Sequence, residues 1–330
     1  MRTTKLLISA VAFALAVLAG CARGRHDPTE TYYLVAANTK IAYWQEAAAG
    51  LRAAASQLQV KWEMVGPETY NPQAQREEFD RIAATKPAGI MVSPADPAVM
   101  QPSIDAAIAQ GIPVITIDSD ATMSKRLLFI GTNNYDIGVT GGEAIARLLN
   151  GKGNVVVYTI LGQANLQERL EGYRSVFERY PQITIVETVD IKGDPVVAFD
   201  RTKEILEQGK LKPDAFVCLE ALACEEVAEV LDRHKMTGKV VLAMDTNQGT
   251  LEWIQKGGIG ATIAQKPYTM AYYGVKVLDD LHHNKLPNLG ASFGSDTRAP
   301  LPVFIDTGGT LIDKSSVDEF LKSVAPAAAK

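Results

Sequence analysis

The residues in this sequence whose types and surroundings could do chemistry are carboxylates at the ends of apolar runs. Asp118 ends the run Val114-Ile115-Thr116-Ile117, and Asp245 ends the run Val240-Val241-Leu242-Ala243-Met244. Such runs suit parallel strands buried on both faces. In an open α/β sheet, ligands bind at the carboxyl ends of those strands, because the loops leaving them fan apart there. An ionised carboxylate at that edge can accept two hydroxyl hydrogen bonds in a fork, and charge-assisted bonds are the stronger kind. Glu220 is a third acid of this type, closing a strand over 216–220. Tyr43 and Trp44 stand on a loop after the first strand, where a ring face could stack on the C–H face of a sugar or cover the start of the next helix. The segment Gly162-Gln163-Ala164-Asn165-Leu166-Gln167-Glu168-Arg169 enters a helix capped by Asn165 and sets Gln167 and Arg169 near the same edge. The plainer alternative is that the acids cap turns, since Asp-Ser-Asp is ordinary loop chemistry.

The elements that must position these residues come in two similar sets. Back from Asp118 stand Lys86-Pro87-Ala88-Gly89-Ile90, then Phe79-Asp80-Arg81, then Gly50-Leu51-Arg52. Back from Asp245 stand Lys212-Pro213-Asp214-Ala215-Phe216, then Phe199-Asp200-Arg201, then Gly172-Tyr173-Arg174. Landmarks recurring in one order are the footprint of related units. The expected fold is α/β: two similar Rossmann-like lobes with parallel sheets, joined by a hinge, with a cleft that takes one carboxylate from each wall. The first lobe is expected over 31–132 plus 265–303, and the second over 133–264 plus 304–330.

Bulk properties narrow the class. A length of 330 residues, 47% of them apolar, supplies two cores. The net charge of -5 argues against nucleic acid as the main partner. Residues 1–21 read as a targeting segment, with Arg2 and Lys5 ahead of an apolar stretch. Leu18-Ala19-Gly20-Cys21 has the form of a lipobox, which makes Cys21 the expected site of lipidation and 22–30 a tether. Ala22 in place of Asp resembles lipoproteins sorted to an outer membrane. Beyond this segment no apolar run is long enough to span a bilayer.

Catalytic signals are thin. Gly290-Ala291-Ser292-Phe293-Gly294 matches a nucleophile elbow, but that turn needs a strand before the serine and a helix after it. Here Pro287 and Pro300 flank it, so the match reads as coincidence and a serine hydrolase is the minor alternative. No phosphate loop or complete dinucleotide fingerprint occurs. His26, His234, His282 and His283 show no metal-type spacing, and neither metal nor cofactor is expected. Export makes a disulfide between Cys218 and Cys224 chemically possible, but a strand residue and a helix residue that close in sequence often point apart, which favours two free buried thiols.

From about Tyr33 to Gln265 the chain resembles the periplasmic sugar-binding proteins of ABC importers, the ribose-binding-like branch of the type I fold. Gly111-Ile112-Pro113-Val114-Ile115-Thr116-Ile117-Asp118, Glu168-Arg169 with Glu171-Gly172-Tyr173, Met244-Asp245 and Ala261-Thr262-Ile263-Ala264-Gln265 carry the resemblance. It implies ligand contacts from Tyr43, Trp44, Asp118, Gln167, Glu220, Asp245 and Gln265. Ser119 and Gln167 stand where the ribose-like pattern has arginines, and Glu220 where it has asparagine. Lys40 with Asp118-Ser119-Asp120 is closer to the rhamnose- and autoinducer-type receptors of the branch. The resemblance also implies a protein, expected as a monomer, that hands a monosaccharide or related polyol to a permease, or else reports it to a sensor; the N-terminal segment adds that it is exported and anchored by lipid at Cys21.

Overall fold

The computed structural model describes residues 26–284 and 301–324. Cys21 with the targeting segment, residues 22–25 of the tether and the pattern around Ser292 lie outside the described residues.

The chain opens with β1 (Thr31–Val35), α1 (Ala42–Leu58), β2 (Lys61–Val65), α2 (Pro72–Ala83), β3 (Gly89–Val92), α3 (Pro97–Ala109), β4 (Val114–Ile117) and β5 (Phe129–Gly131). It continues through α4 (Asn134–Leu148), β6 (Lys152–Thr159), α5 (Ala164–Phe177), β7 (Gln182–Asp190), α6 (Pro195–Gln208), β8 (Ala215–Cys218), α7 (Ala223–Arg233), β9 (Val240–Met244), α8 (Gln248–Lys256) and β10 (Ala261–Ala264). Last come α9 (Pro267–His283), β11 (Phe304–Asp306), β12 (Thr310–Asp313) and α10 (Val317–Val324). Helix starts follow from local chemistry. Asn71, Asp96 and Asp194 accept backbone N–H bonds at the starts of α2, α3 and α6, each with proline in the first turn.

The strands form two six-stranded sheets, ordered β11-β5-β4-β3-β1-β2 and β12-β10-β9-β8-β6-β7. All pairings are parallel except β12 against β10. The inner strands β3, β4 and β8 are buried at every position, as a sheet covered by helices on both faces requires. Each sheet has its own hydrophobic core, one around Tyr32, Leu51 and Ile90 and the other around Tyr158, Phe216 and Leu242.

The chain passes between the sheets three times, after β5, after β10 and between β11 and β12. The last passage comes later than a boundary at 303/304 would have it, because β11 pairs with β5 and so belongs to the first sheet. The first and last passages are tied together, with Thr307 N–H donating to the Gly131 carbonyl at 2.8 Å and Asn133 N–H to Asp306 at 3.2 Å.

Each lobe borrows a helix. After β10 of the second sheet, α9 crosses back and packs on α1; after β5 of the first sheet, α4 crosses over and packs on α5. The duplicated glycines make these crossings possible. A Cβ on Gly50 would sit 2.1 Å from the Tyr268 carbonyl oxygen, and one on Gly172 would sit 2.2 Å from that of Tyr135.

Cys218 and Cys224 form a disulfide, correcting the expectation of free thiols. The loop between β8 and α7 doubles back so that the first turn of the helix lies against the strand end, with Cα atoms 5.8 Å apart, inside the usual bridging range.

Candidate functional site

Both strand-end acids adopt the same unusual backbone. Asp118 after β4 and Asp245 after β9 each have φ of 65°, in the left-handed region that residues other than glycine visit uncommonly, aspartate and asparagine more readily than most. This turn folds each carboxylate back over its own sheet edge, and both line one cavity between the lobes, of about 70 Å³. Asp118 accepts from the Tyr43 hydroxyl at 2.7 Å, from Ser93 at 3.2 Å and, across the cleft, from the Asn165 side-chain amide at 3.3 Å. Asp245 accepts from the Gln265 amide at 3.0 Å.

Arg169 is the hub of the opposite wall. Its guanidinium donates to Asn134 at 2.9 Å, to the Leu219 carbonyl at 2.6 Å and to Gln265 Oε1 at 2.8 Å. Gln265, placed on the passage from β10 to α9, thus links the arginine to Asp245. Glu220 accepts from the backbone N–H groups of Leu222 and Ala223, at 2.5 and 3.1 Å, and so caps α7 from inside the cavity wall. Cys218 and Cys224 bracket this loop.

One guanidinium faces three buried carboxylates. Burial pushes the Asp245 carboxyl up to about 6, against the opposing pull of Arg169. Burial likewise lifts Glu220 to about 7, outweighing its two backbone hydrogen bonds, with the Asp245 charge adding to the rise. Asp118 is raised by burial too, and Arg169, Tyr43 and Ser93 work against that rise. The wall therefore holds acceptors that become stronger when a donor arrives to replace lost water.

The structure brings together Tyr43, Trp44, Asp118, Arg169, Glu220, Asp245 and Gln265, which all line the cavity. Tyr43 and Trp44 sit in the first turn of α1 and not on a loop, with their rings edge to face at 5.1 Å. Both line the cavity, and Tyr43 spends its hydroxyl on Asp118.

Four expected residues do not join them. Lys40 is exposed and pairs with Glu68 at 3.0 Å at the surface. Gln167 is exposed and donates to Glu171; two residues along a helix from Asn165 is a rotation of about 200°, which sends its side chain to the far face. Arg169, four residues on from Asn165, returns to the same face. Asp120 is held by Arg126 in a two-pronged ion pair at 2.5 and 2.7 Å and by Thr116, so it braces the loop after β4. Ser119, on the same loop, is buried and lies outside the cavity lining.

Other lining residues were not anticipated as contacts. Ser93 follows β3 directly, the position that singled out Asp118 after β4, and was legible by the same rule. Asn165 was assigned to capping, but Gln163 holds the cap position of α5 and Asn165 turns inward. Asn38 and Tyr70 also line the cavity; nothing in the local sequence marks them.

Known proteins resemble this chain in sequence and overall fold. The family model for the periplasmic binding protein domain matches residues 32–285. The chain belongs to the periplasmic binding protein family. It is 28% identical over 208 residues to the ribose import binding protein RbsB of Bacillus subtilis, a match covering 59% of this chain and 63% of that one. The chain thus spans less than two thirds of that relative's length. Among solved structures, the glucose-galactose binding protein GanP of Geobacillus stearothermophilus is 29% identical with a TM-score of 0.79, covering 88% of this chain and 99% of that one. The arabinose binding protein AraP of the same organism is 32% identical with a TM-score of 0.73, covering 89% and 99%. The two sheets of mostly parallel strands flanked by helices are the type I architecture of this family.

Proposed function

We propose that this periplasmic binding protein captures a monosaccharide or related polyol between its lobes and delivers it to the permease of an ABC importer. The observation that carries the reading is the pairing of Asp118 and Asp245, equivalent residues of two equivalent sheets, turned by the same left-handed backbone into one cavity. Sugar hydroxyls would donate to these carboxylates, the Arg169 guanidinium would donate to ring or hydroxyl oxygens, and the Trp44 ring would lie along the C–H face. Solved relatives that are glucose-galactose and arabinose binding proteins support the same class of ligand.

The cavity is small beside the roughly 300 Å³ at the low end of ligand pockets. Ligand entry therefore requires the lobes to part about the three passages, and closure then buries the sugar and presents one lobe geometry to the permease. No bond is broken in this scheme, and the ligand should be recovered unaltered after incubation. Lipidation at Cys21 would hold the exported protein at a membrane; a Cys21→Ser protein that is still processed and still membrane-bound would exclude that anchor.

The test is a thermal-shift screen of aldopentoses, aldohexoses, polyols and amines, since a ligand that binds only the folded state raises its melting temperature. Shifts with neutral sugars are expected. Silence from every neutral polyhydroxy compound alongside clear shifts with amines would replace the sugar with a cation, the ligand that three acids against one guanidinium would otherwise favour.

A further inference from the structure

Far from the cleft, the segment before β1 meets the carboxyl end of α9. His26 and Glu30 precede β1, while Asp279 and His283 lie one turn apart at the carboxyl end of α9. One side-chain ligand atom from each of the four lies within 4.8 Å of the others. We propose that His26, Glu30, Asp279 and His283 form a binding site for a divalent transition-metal ion of the zinc class, which clips the segment before β1 to the end of α9.

The distances support a shared centre. His26 Nδ1 is 3.0 Å from Asp279 Oδ1, and His283 Nε2 is 3.3 Å from Glu30 Oε2 and 3.5 Å from Asp279 Oδ1. Zinc bonds of about 2.0 to 2.2 Å in a tetrahedron separate neighbouring ligand atoms by roughly 3.3 Å. Orientation supports it as well. His26 Nδ1, Glu30 Oε2 and His283 Nε2 are all buried without a hydrogen-bond partner, although each has an opposite group close by. Three polar atoms that crowd together without aiming at one another are costly to bury unless something between them accepts their lone pairs. Two neutral imidazoles and two carboxylates suit zinc in ligand type and neutralise its charge. An outer layer is present too: the Tyr32 hydroxyl donates to Asp279 Oδ1 at 3.2 Å, and His282 Nε2 stands 3.9 Å from the other oxygen of Glu30.

Position decides the role. At 1.5 Å rise per residue, His283 lies about 24 Å along α9 from its start beside Gln265, so an ion here cannot touch a molecule in the cleft. It would instead fasten the segment before β1 to the end of α9.

The test uses the untagged full chain, stripped with a chelator and titrated with Zn²⁺ by calorimetry. One equivalent should bind with micromolar or tighter affinity and raise the melting temperature. Co²⁺ should give the intense visible absorption of a four-coordinate site. The His26→Ala/His283→Ala double variant should lose at least 100-fold in affinity, Asp279→Asn should weaken it, and His234→Ala should not. Circular dichroism of each variant confirms that it folds. Absence of saturable Zn²⁺ binding, or affinity unchanged in the folded double variant, would overturn the site and leave four groups held only as ion pairs; Mg²⁺ or Ca²⁺ binding as tightly as Zn²⁺ would overturn its class.

Discussion

Asn165 Nδ2 stands 3.3 Å from Asp118 Oδ2, so a helix of the second lobe reaches across the cleft to the strand-end acid of the first. A hydrogen bond to a carboxylate contributes about 1.5 to 3 kcal/mol, and the length of this one argues for the low end. Asn165→Ala should widen the empty protein, seen as a larger radius of gyration in X-ray scattering, and weaken ligand binding about tenfold. Identical scattering curves with unchanged affinity would show that this contact latches nothing.

The two acids should matter for affinity far more than for folding. Replacing Asp118 or Asp245 with Ala removes charge-assisted bonds to a buried ligand, at a cost of about 1.5 to 3 kcal/mol, or one to two powers of ten in affinity. Calorimetric titration with the sugar found in the screen, beside melting curves of the empty variants, distinguishes this from turn capping. Normal affinity with lowered stability would take both acids out of the site.

The raised carboxyl of Asp245 makes a prediction about pH. Its folded value of about 6 lies above the ordinary 3.8, so folding favours the protonated form. The resulting penalty is absent below about pH 4, grows between 4 and 6, and is complete above 6. An Asp245→Asn variant should therefore gain in melting temperature relative to the parent as pH rises from 4 to 7. Ligand affinity of the parent should rise over the upper part of that range, as Asp245 ionises and Glu220, with its value near 7, follows. A melting difference that is flat with pH would contradict the burial argument.

Lys40 and Gln167 point away from the cavity, so Lys40→Ala and Gln167→Ala should bind within twofold of the parent. Exposed pairs such as Lys40 with Glu68 contribute little to stability as well. A tenfold loss in either variant would mean that closure on the ligand repositions that side chain.

Reducing the disulfide between Cys218 and Cys224 should cost about 2 kcal/mol by the chain-entropy estimate for so short a loop. It should also loosen the wall that carries Glu220, giving a faster ligand off-rate. Melting curves and stopped-flow release with and without reductant check both effects, and unchanged release would separate the bridge from the site.

How much of this was legible in the sequence follows from what each residue's neighbours encode. Apolar runs ending in acids marked β4 with Asp118 and β9 with Asp245, and repeated landmarks marked two lobes, because strand burial and the close approaches at Gly50 and Gly172 are local demands that recur with each unit. Gln167 failed because proximity along a helix is not a shared face. Lys40, Ser119 and Asp120 came by resemblance, and each is engaged elsewhere by a partner or by burial that pattern alone does not reveal. Asn165 has the chemistry of a cap and of a bridge alike, and only the approach of the other lobe decides between them. The histidine and carboxylate cluster joins residues about 250 positions apart in the sequence, beyond the reach of any spacing rule.

The exchange of α4 and α9 between the lobes also governs the order in which the molecule can be completed. The first sheet has β1 to β5 early in synthesis, yet the helix that covers Leu51 and Ile90 arrives only with residues 267–283. Its core stays open until nearly the whole second lobe has been made. Neither sheet's core is covered by one uninterrupted half of the chain, and a nascent chain of this kind leaves the first core uncovered until α9 emerges.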